Sequence, residues 1–282
     1  MIEVRYRDRM GNRMFQYCLG RILAEELSFS LQAEALPGFP NTREKIEGLS
    51  IQDPEQVLTG QRLDWAEIRA DRSHRRVILD GWFQRYEYYR PWRNKIQEWL
   101  VIDPAVRAPE IRPDVVVHVR RGDYVRMGWA LPFSFYDEAI EILMPHAREV
   151  CIVTDDHHDP FLRNFSKWKP KFFQGTPLET LLLMLRSRQL VMSQSSFSWW
   201  PTFLGAAERI ICPLPQFGIW SDAGEFPGID LIERDRFICL PCAKAYQPTR
   251  LEDAYQGTRS MYRRVIKTAN RRLNMSFAVP KC

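Results

Sequence analysis

Apolar positions in this chain recur with two periods, which alternate from residue 115 onward. Short apolar runs of strand length are followed by segments in which apolar residues return every three to four positions. Strands that alternate with helices of about ten residues are typical of βαβ units on a parallel sheet. The pattern predicts strands at 115–119, 150–154, 171–173, 189–192 and 209–212, and helices at 134–144, 160–165, 178–187 and 197–206.

The first half of the chain has a weaker pattern. It predicts a strand at 3–6, a turn at 10–12, a helix at 13–27 and a strand at 77–79, with loops and short elements over 36–75. A polar, proline-bearing connection at 103–113 separates the two halves. We therefore expect three regions, namely an amino-terminal domain at 1–105, an α/β domain at 106–243 and a tail at 244–282.

The composition is that of a globular protein. The 282 residues are 45% apolar and include nine tryptophans, which is enough for a substantial core. No apolar run approaches the roughly 18 residues needed to span a bilayer. The first six residues resemble a strand rather than the apolar core of a signal peptide. We expect a cytoplasmic chain, or one that rests peripherally on the cytosolic face of a membrane.

The net charge of +5 is concentrated in the tail. Residues 244–282 hold nine Lys and Arg against two acidic residues, so the tail carries +7 and the remainder −2. A nucleic-acid-binding protein would normally show a basic face on its folded body. The distribution therefore argues against a nucleic-acid partner. Residues 258–277 fit a basic amphipathic helix, which either contacts an anionic membrane or packs back on the first domain.

The six cysteines are scattered, and we expect them to be reduced thiols. Cys239 and Cys242 have the spacing of half a zinc site or of a redox pair. No second Cys-x-x-Cys accompanies them, so the pattern does not favour a structural metal.

The strand at 115–119 ends on a charged loop, Arg120, Arg121, Gly122 and Asp123. In open α/β sheets, ligands bind outside the carboxyl ends of the strands. Two guanidiniums at such a position could donate hydrogen bonds to phosphate oxygens, and both keep their positive charge at physiological pH. The alternative is an exposed arginine pair that forms a salt bridge with Asp123.

Two further polar loops follow neighbouring predicted strands. Asp155 and Asp156 could accept hydrogen bonds from a guanine base, could cap a helix, or could bind a divalent ion with His157, His158 and Asp159. Ser195 and Ser196 precede a helix, where they could bind an anion or merely cap the helix. Cations, carboxylates and helix-end donors at one sheet edge together suit a nucleoside diphosphate.

Three separated motifs resemble those of the α1,2-fucosyltransferases, glycosyltransferase family 11. Residues 118–124 (HVRRGDY) resemble the family's His-x-Arg-Arg-x-Asp-Tyr motif, and residues 195–200 (SSFSWW) resemble its second hallmark. Residues 11–17 (GNRMFQY) resemble its amino-terminal Gly-Asn-Gln-Met-Phe-Gln-Tyr. The three motifs occur in the family's order.

The resemblance implies an α/β fold of the GT-B type, with two Rossmann-like domains facing across a cleft. The first would be the acceptor-side domain and the second would hold GDP-β-L-fucose. Fucose would be transferred with inversion to a galactoside hydroxyl, with α1,2 linkage expected, in bacterial-type surface glycan synthesis. The partners would be this donor and a glycan acceptor, with neither a catalytic metal nor another cofactor.

The resemblance also assigns roles to individual residues. Arg120 would bind the diphosphate, with Arg121 and His118 supporting the loop and the donor. Asp123 is a candidate base for the acceptor hydroxyl, although it could instead orient an arginine. The remaining predicted donor-binding residues are Asp155, Asp156, Ser195, Ser196, Gly11 and Asn12.

The chain departs from the family pattern at three places, and other functions stay open. The usual Gly-Leu-Gly is Arg9-Met10-Gly11, Gln becomes Arg13, and Gln194 replaces Asn. The alternatives are a GDP-fucose transferase of another linkage or acceptor and a non-catalytic glycan-binding relative. A nucleotide-dependent oxidoreductase is weakened because no Gly-x-Gly-x-x-Gly follows a strand. The aromatic stretch 82–92 could stack on acceptor sugars, but we favour a place in the core.

Overall fold

The computed structural model describes residues 1–47, 55–59, 63–70, 76–215 and 236–249, together with Tyr255, Thr258 and Met261. These residues form two sheets in which all strand pairs are parallel. The strands are β1 Ile2–Val4, β2 Leu31–Gln32, β3 Glu55–Leu58, β4 Arg76–Leu79, β5 Val115–Val119, β6 Val150–Thr154, β7 Lys171–Phe173, β8 Gln189–Val191, β9 Arg209–Pro215 and β10 Phe237–Cys242. The first sheet has the strand order β2-β1-β4-β3, and the second has the order β10-β9-β8-β5-β6-β7.

Helices connect the strands in both units. The α-helices are α1 Met10–Leu27, α2 Trp65–Ala70, α3 Tyr86–Tyr89, α4 Arg93–Trp99, α5 Gly122–Arg126, α6 Phe133–Leu143, α7 Pro177–Leu185 and α8 Ser196–Leu204. Short 3₁₀ helices occupy Pro40–Arg43, Arg90–Trp92, Met144–His146 and Pro160–Trp168. The predicted α/β class and its two parallel-sheet units are confirmed.

The central strands of the second sheet are buried on both faces. All five residues of β5 are buried, and four of the five in β6. Strands covered by helices on both sides need apolar residues at successive positions, which explains the near-continuous valine and isoleucine runs. The predicted bounds of β5, β6 and β7 agree with the structure.

The two units share one apolar core through α1 and α8. The Phe15 ring lies 4.6 Å from those of Trp199 and Trp200, and Tyr89 of α3 packs against the same three rings. Phe83, Tyr88 and Tyr89 are buried in this cluster, which confirms the core interpretation for these members of the stretch 82–92. The boundary predicted near residue 105 falls in 100–114, which carries neither helix nor strand.

Some predicted boundaries were wrong. β1 spans Ile2–Val4 rather than 3–6, and α1 begins at Met10, so the predicted turn at 10–12 is the first helical turn. The N-cap residue of α1 is Arg9, which has an extended backbone and makes no side-chain cap bond. Because Ser, Thr, Asp and Asn are the usual N-cap residues, the sequence did not indicate that the helix begins here. The short helix α5 was not predicted.

The structure also bears on the tail and the cysteines. Among the described residues, no helix combines the length and apolarity that a membrane span requires. The predicted amphipathic helix at 258–277 lies outside the described residues, apart from Thr258 and Met261.

Cys239 and Cys242 stand three apart on β10 and therefore point to opposite faces of the sheet, which rules out a shared ligand role for their Cys-x-x-Cys spacing.

Candidate active site

The candidate site lies where the strand order of the second sheet reverses. From β5 the chain runs outward through β6 and β7, and it then returns to place β8 on the other side of β5. Ligands in open α/β sheets bind in the crevice at such a switch point, outside the carboxyl ends of the strands. Residues 120–123 follow β5 and residues 193–196 follow β8, so both predicted loops flank this crevice.

Arg120 is the central cation of the site. Its Nη1 donates to Asp155 Oδ2 at 2.6 Å, and its Nη2 donates to Asp123 Oδ1. The guanidinium also lies 4.8 Å from the ring centroid of Tyr124. Its side chain keeps 13% of its surface exposed, so it is oriented from several sides yet still reaches solvent.

Gly122 allows the arginine loop to approach the next strand. Its φ of +39° lies in the left-handed region, and a Cβ there would lie 2.3 Å from Asp155 Oδ2. The backbone N–H of Arg121 donates to the other oxygen of Asp155 at 2.8 Å. Only glycine fits this position without displacing the carboxylate that holds Arg120.

Arg121 has a different environment from its neighbour. Its side chain is fully buried, and its Nε donates to Asp159 Oδ2 at 3.0 Å. The guanidinium packs against the rings of Phe161 and Tyr246, at 3.9 and 4.3 Å from their centroids, and these two rings also meet each other edge to face. This burial favours the loop-supporting role of Arg121 over direct donor contact, and it excludes the alternative of an exposed arginine pair.

His118 links the two loops beneath the crevice. Its Nδ1 lies 2.8 Å from the hydroxyl of Ser193, with which it is hydrogen-bonded. Burial, reinforced by the nearby Arg120 charge, lowers the pKa of His118 to about 3. The imidazole is therefore neutral at physiological pH, and it ties β5 to the loop after β8 as an uncharged partner.

Two helix N-termini meet at the crevice. Ser195 is the N-cap of α8, where its hydroxyl accepts from the Phe197 N–H at 3.2 Å, and Ser196 is the first helical residue. Gly11, in the first turn of α1, packs so closely that a Cβ there would lie 2.6 Å from the Phe197 nitrogen. Trp200 Nε1 donates to the Gly11 carbonyl at 2.9 Å and holds the contact. Both helices thus direct the positive ends of their dipoles to one place.

Asn12 belongs to a polar cluster of the first unit. Its Nδ2 donates to Asp8 at 3.2 Å, and its Oδ1 accepts from Gln84 at 2.9 Å. Trp82 Nε1 donates to the same Asp8. Asn12 therefore ties the start of α1 to the loop after β4, beside the crevice.

Arg9 connects the two units, and the sequence patterns gave it no role beyond a departure from the family motif. Its Nη2 donates to Asp123 Oδ2 at 3.2 Å, across 114 positions of sequence. Asp123 therefore lies between Arg9 of the first unit and Arg120 of the second.

The carboxylates after β6 accept hydrogen bonds from neighbouring protein groups. Asp156 is buried and accepts from the His158 N–H at 3.4 Å and from the Tyr255 hydroxyl at 2.9 Å. The helix cap is Asp159, whose Oδ1 accepts from the Phe161 N–H at 2.9 Å. Within the described part of the chain, no three His, Cys, Asp or Glu side chains are arranged to bind a metal ion.

The predicted site residues thus divide into two groups. Those that the structure brings to the crevice are Arg120, Asp123, Asp155, Ser195, Ser196, Gly11 and Asn12. His118, Arg121 and Asp156 lie beneath it as buried supports. The sequence patterns named Asp159 only as a possible metal ligand and missed its ion pair with Arg121. They also missed Phe161 and Tyr246, which pack against Arg121 and carry no local motif.

The described residues thus define an α/β protein with an arginine-bearing crevice at the switch point of a parallel sheet. Residues 93–216 match the family model of glycosyl transferase family 11, a span slightly shorter than half of the chain. The resemblance read from the motifs is confirmed over this segment, which contains both loops of the switch point. A search among curated proteins gives no match.

Two solved structures are distantly similar. The crystal structure of NodZ alpha-1,6-fucosyltransferase soaked with GDP-fucose shares 15% identity, with a TM-score of 0.47, over 74% of this chain and 93% of that one. The structure of POFUT1 in complex with GDP shares 12% identity, with a TM-score of 0.43, over 72% of this chain and 94% of that one.

Proposed function

We propose that the protein is an inverting glycosyltransferase that moves L-fucose from GDP-β-L-fucose to a galactoside hydroxyl, forming an α1,2 linkage in surface glycan synthesis. One observation carries the proposal most strongly. Arg120 lies at the switch point of the second sheet, beside the place where the N-termini of α1 and α8 meet. An arginine and two helix ends together make a site for a diphosphate.

The donor would bind through groups that the fold already holds in place. A guanidinium has five N–H donors, and the bonds of Arg120 to Asp123 and Asp155 account for two of them. The remaining donors can meet phosphate oxygens while the two carboxylates keep the side chain oriented. Ser196 and the first turn of α8 add backbone N–H groups at a dipole end.

The chemistry follows from this charge arrangement. Fucose transfer builds positive charge on the sugar and negative charge on the departing GDP. Arg120 and the helix ends would stabilise the negative charge without a metal, so we expect activity to persist in the presence of a chelator. Losing a preorganised contact of this kind costs about 3 kcal/mol in the barrier, or roughly a hundredfold in rate.

Asp123 fits the positioning role better than the role of base. One of its oxygens accepts from Arg120 and the other from Arg9, so each is already paired with a cation. Both oxygens are thus engaged by arginine side chains, which leaves neither of them directed at an acceptor hydroxyl. We therefore propose that Asp123 orients Arg120 and links it to the first unit.

The guanine base would lie near the loop after β6. Asp155 keeps 19% of its side chain exposed, whereas Asp156 is buried against His158 and Tyr255. Asp155 is therefore the better candidate for a contact with the base, although its two oxygens also serve the arginine loop.

Incubation with GDP-fucose and simple galactosides, followed by GDP release, tests the activity. We expect acceptor-dependent GDP release, with product linkage read by NMR, and a loss of about a hundredfold in Arg120→Ala. Glycan binding without GDP release would instead indicate a non-catalytic relative. A loss of less than about fivefold in Arg120→Ala would contradict its diphosphate role.

We further propose peripheral contact between the basic tail and an anionic membrane. Support comes from the +7 charge of residues 244–282. The full-length chain should sediment with anionic vesicles and not with neutral ones, and Arg263→Glu/Arg264→Glu should weaken the sedimentation. Equal sedimentation with both kinds of vesicle would contradict the contact and, with it, a peripheral location on the cytosolic face.

A further inference from the structure

Two cysteines face each other across neighbouring strands at the edge of the second sheet. In the parallel pairing of β9 with β10, Cys212 lies directly opposite Cys239. Neighbouring strands are about 4.8 Å apart, which lies inside the Cα–Cα range of roughly 4.4–6.8 Å that disulfides span. The backbone therefore already holds the two residues at bonding separation.

The side chains of this pair also meet. Cys212 belongs to the apolar cluster on one face of the sheet, and Phe237, two residues before Cys239, packs on the same cluster. The two thiols are near enough for each to affect the ionisation of the other, and the Cys212 thiol also donates to the Pro213 carbonyl at 3.5 Å. Cys242 belongs to the cluster on the opposite face. The motif Cys-x-x-Cys is thus divided by the sheet, and the partner of Cys239 is the more distant Cys212.

The two thiols differ in exposure and acidity. Cys239 is exposed on the edge strand β10, whereas Cys212 is fully buried. The adjacent Cys212 side chain lowers the pKa of Cys239 to about 7, while burial raises the pKa of Cys212 well above its ordinary value. Cys239 therefore offers a solvent-accessible thiolate near neutral pH, and Cys212 stays a protonated thiol beside it.

We propose that Cys239 and Cys212 form a peroxide-sensitive thiol pair, in which Cys239 is the reacting thiol and Cys212 resolves it into an intramolecular disulfide. The Cys239 thiolate attacks one oxygen of hydrogen peroxide, the O–O bond breaks, and hydroxide leaves, giving a sulfenic acid. Cys212 then attacks this sulfur, losing its proton as the S–O bond breaks and water leaves. In sum, two thiols and one peroxide give one disulfide and two waters, and the bond joins β9 to β10.

The test uses the full-length chain with Cys282→Ser, because that thiol lies outside the described residues. After stoichiometric hydrogen peroxide, non-reducing peptide mapping by mass spectrometry should show a Cys212–Cys239 link. Cys242→Ser should still form the link, and Cys239→Ser should not. In Cys212→Ser, dimedone should trap a sulfenic acid at Cys239.

A second measurement does not depend on these variants folding. In the unmodified chain, the rate of Cys239 alkylation by iodoacetamide should rise with pH through a midpoint near 7, well ahead of the other described cysteines. A Cys239–Cys242 link, a Cys239-linked dimer as the main product, or alkylation no faster than that of the buried thiols would overturn the proposal.

Discussion

Replacing Arg121 tests whether the two adjacent arginines have separate roles. Arg121→Met keeps an apolar chain of similar length against Phe161 and Tyr246, but it removes the charge that pairs with Asp159. Both side chains of this ion pair are fully buried. Removing one partner of such a pair costs about 3–5 kcal/mol, because the remaining charge is left buried without compensation. That is a large fraction of the roughly 5–15 kcal/mol that stabilises a typical protein.

Chemical unfolding of wild type and variant measures this cost directly. We expect Arg121→Met to lose about 3–5 kcal/mol of unfolding free energy. Asp159→Asn in the same chain should recover part of the loss, because it removes the uncompensated carboxylate while leaving an oxygen to cap the helix at 160–168. Arg120→Met is the matched control, since it should weaken GDP binding with a much smaller effect on stability.

Two results would refute this reasoning. The first is an unfolding free energy for Arg121→Met within about 1 kcal/mol of wild type, together with lost GDP binding, which would place Arg121 at the donor. The second is a double variant no more stable than Arg121→Met, which would show that the buried Asp159 charge is not the source of the cost.

Three further predictions concern the residues around the crevice. In the folded protein His118 is a neutral imidazole with a pKa of about 3, whereas the ordinary histidine pKa is 6.5. Its neutral form therefore contributes fully to stability above pH 6.5, and this contribution is lost as the pH falls toward 3. Urea unfolding below pH 6.5 should therefore show a shallower loss in His118→Asn than in wild type, and parallel losses would contradict the assignment. Gly11→Ala forces a methyl group against the Phe197 nitrogen. It should cost about 1–3 kcal/mol of unfolding free energy in urea and weaken GDP binding measured by calorimetry. In the control Gly128→Ala, the added Cβ would meet no atom within 4 Å, and GDP binding should stay unchanged. Arg9→Ala removes one cation from Asp123 and should lower kcat for acceptor-dependent GDP release by about threefold to thirtyfold while unfolding free energy stays within about 1 kcal/mol, since this pair is exposed; an unchanged kcat would exclude a positioning role.

The hydrophobic pattern alone was sufficient to predict the bounds of two buried parallel strands. The bounds of β5 and β6 agree with the prediction, because a strand covered on both faces needs an unbroken apolar run. The bounds of β7 also agree, although two of its three residues are exposed. The start of α1 was placed three residues too late. Its capping position is Arg9 and its first turn contains Gly11, and neither residue signals a helix start.

The candidate site was only partly readable in the same way. Arg120 and Arg121 are adjacent residues of the same type, so the sequence does not show which of them is buried. Tertiary packing decides it. The groups that enclose Arg121 come from 38 to 125 positions farther along the chain. Likewise, the spacing of Cys239 and Cys242 suggests a pair, but a strand sends residues three apart to opposite faces and leaves Cys212 as the partner.

A crystal structure of the full-length chain grown with GDP, in the presence of a chelator, tests the central proposal most directly. We predict that the diphosphate lies at the switch point, with its oxygens within about 3 Å of the Arg120 guanidinium and of the first-turn N–H groups of α8. Density for GDP at any place remote from Arg120 and Ser196 would contradict the proposed donor site.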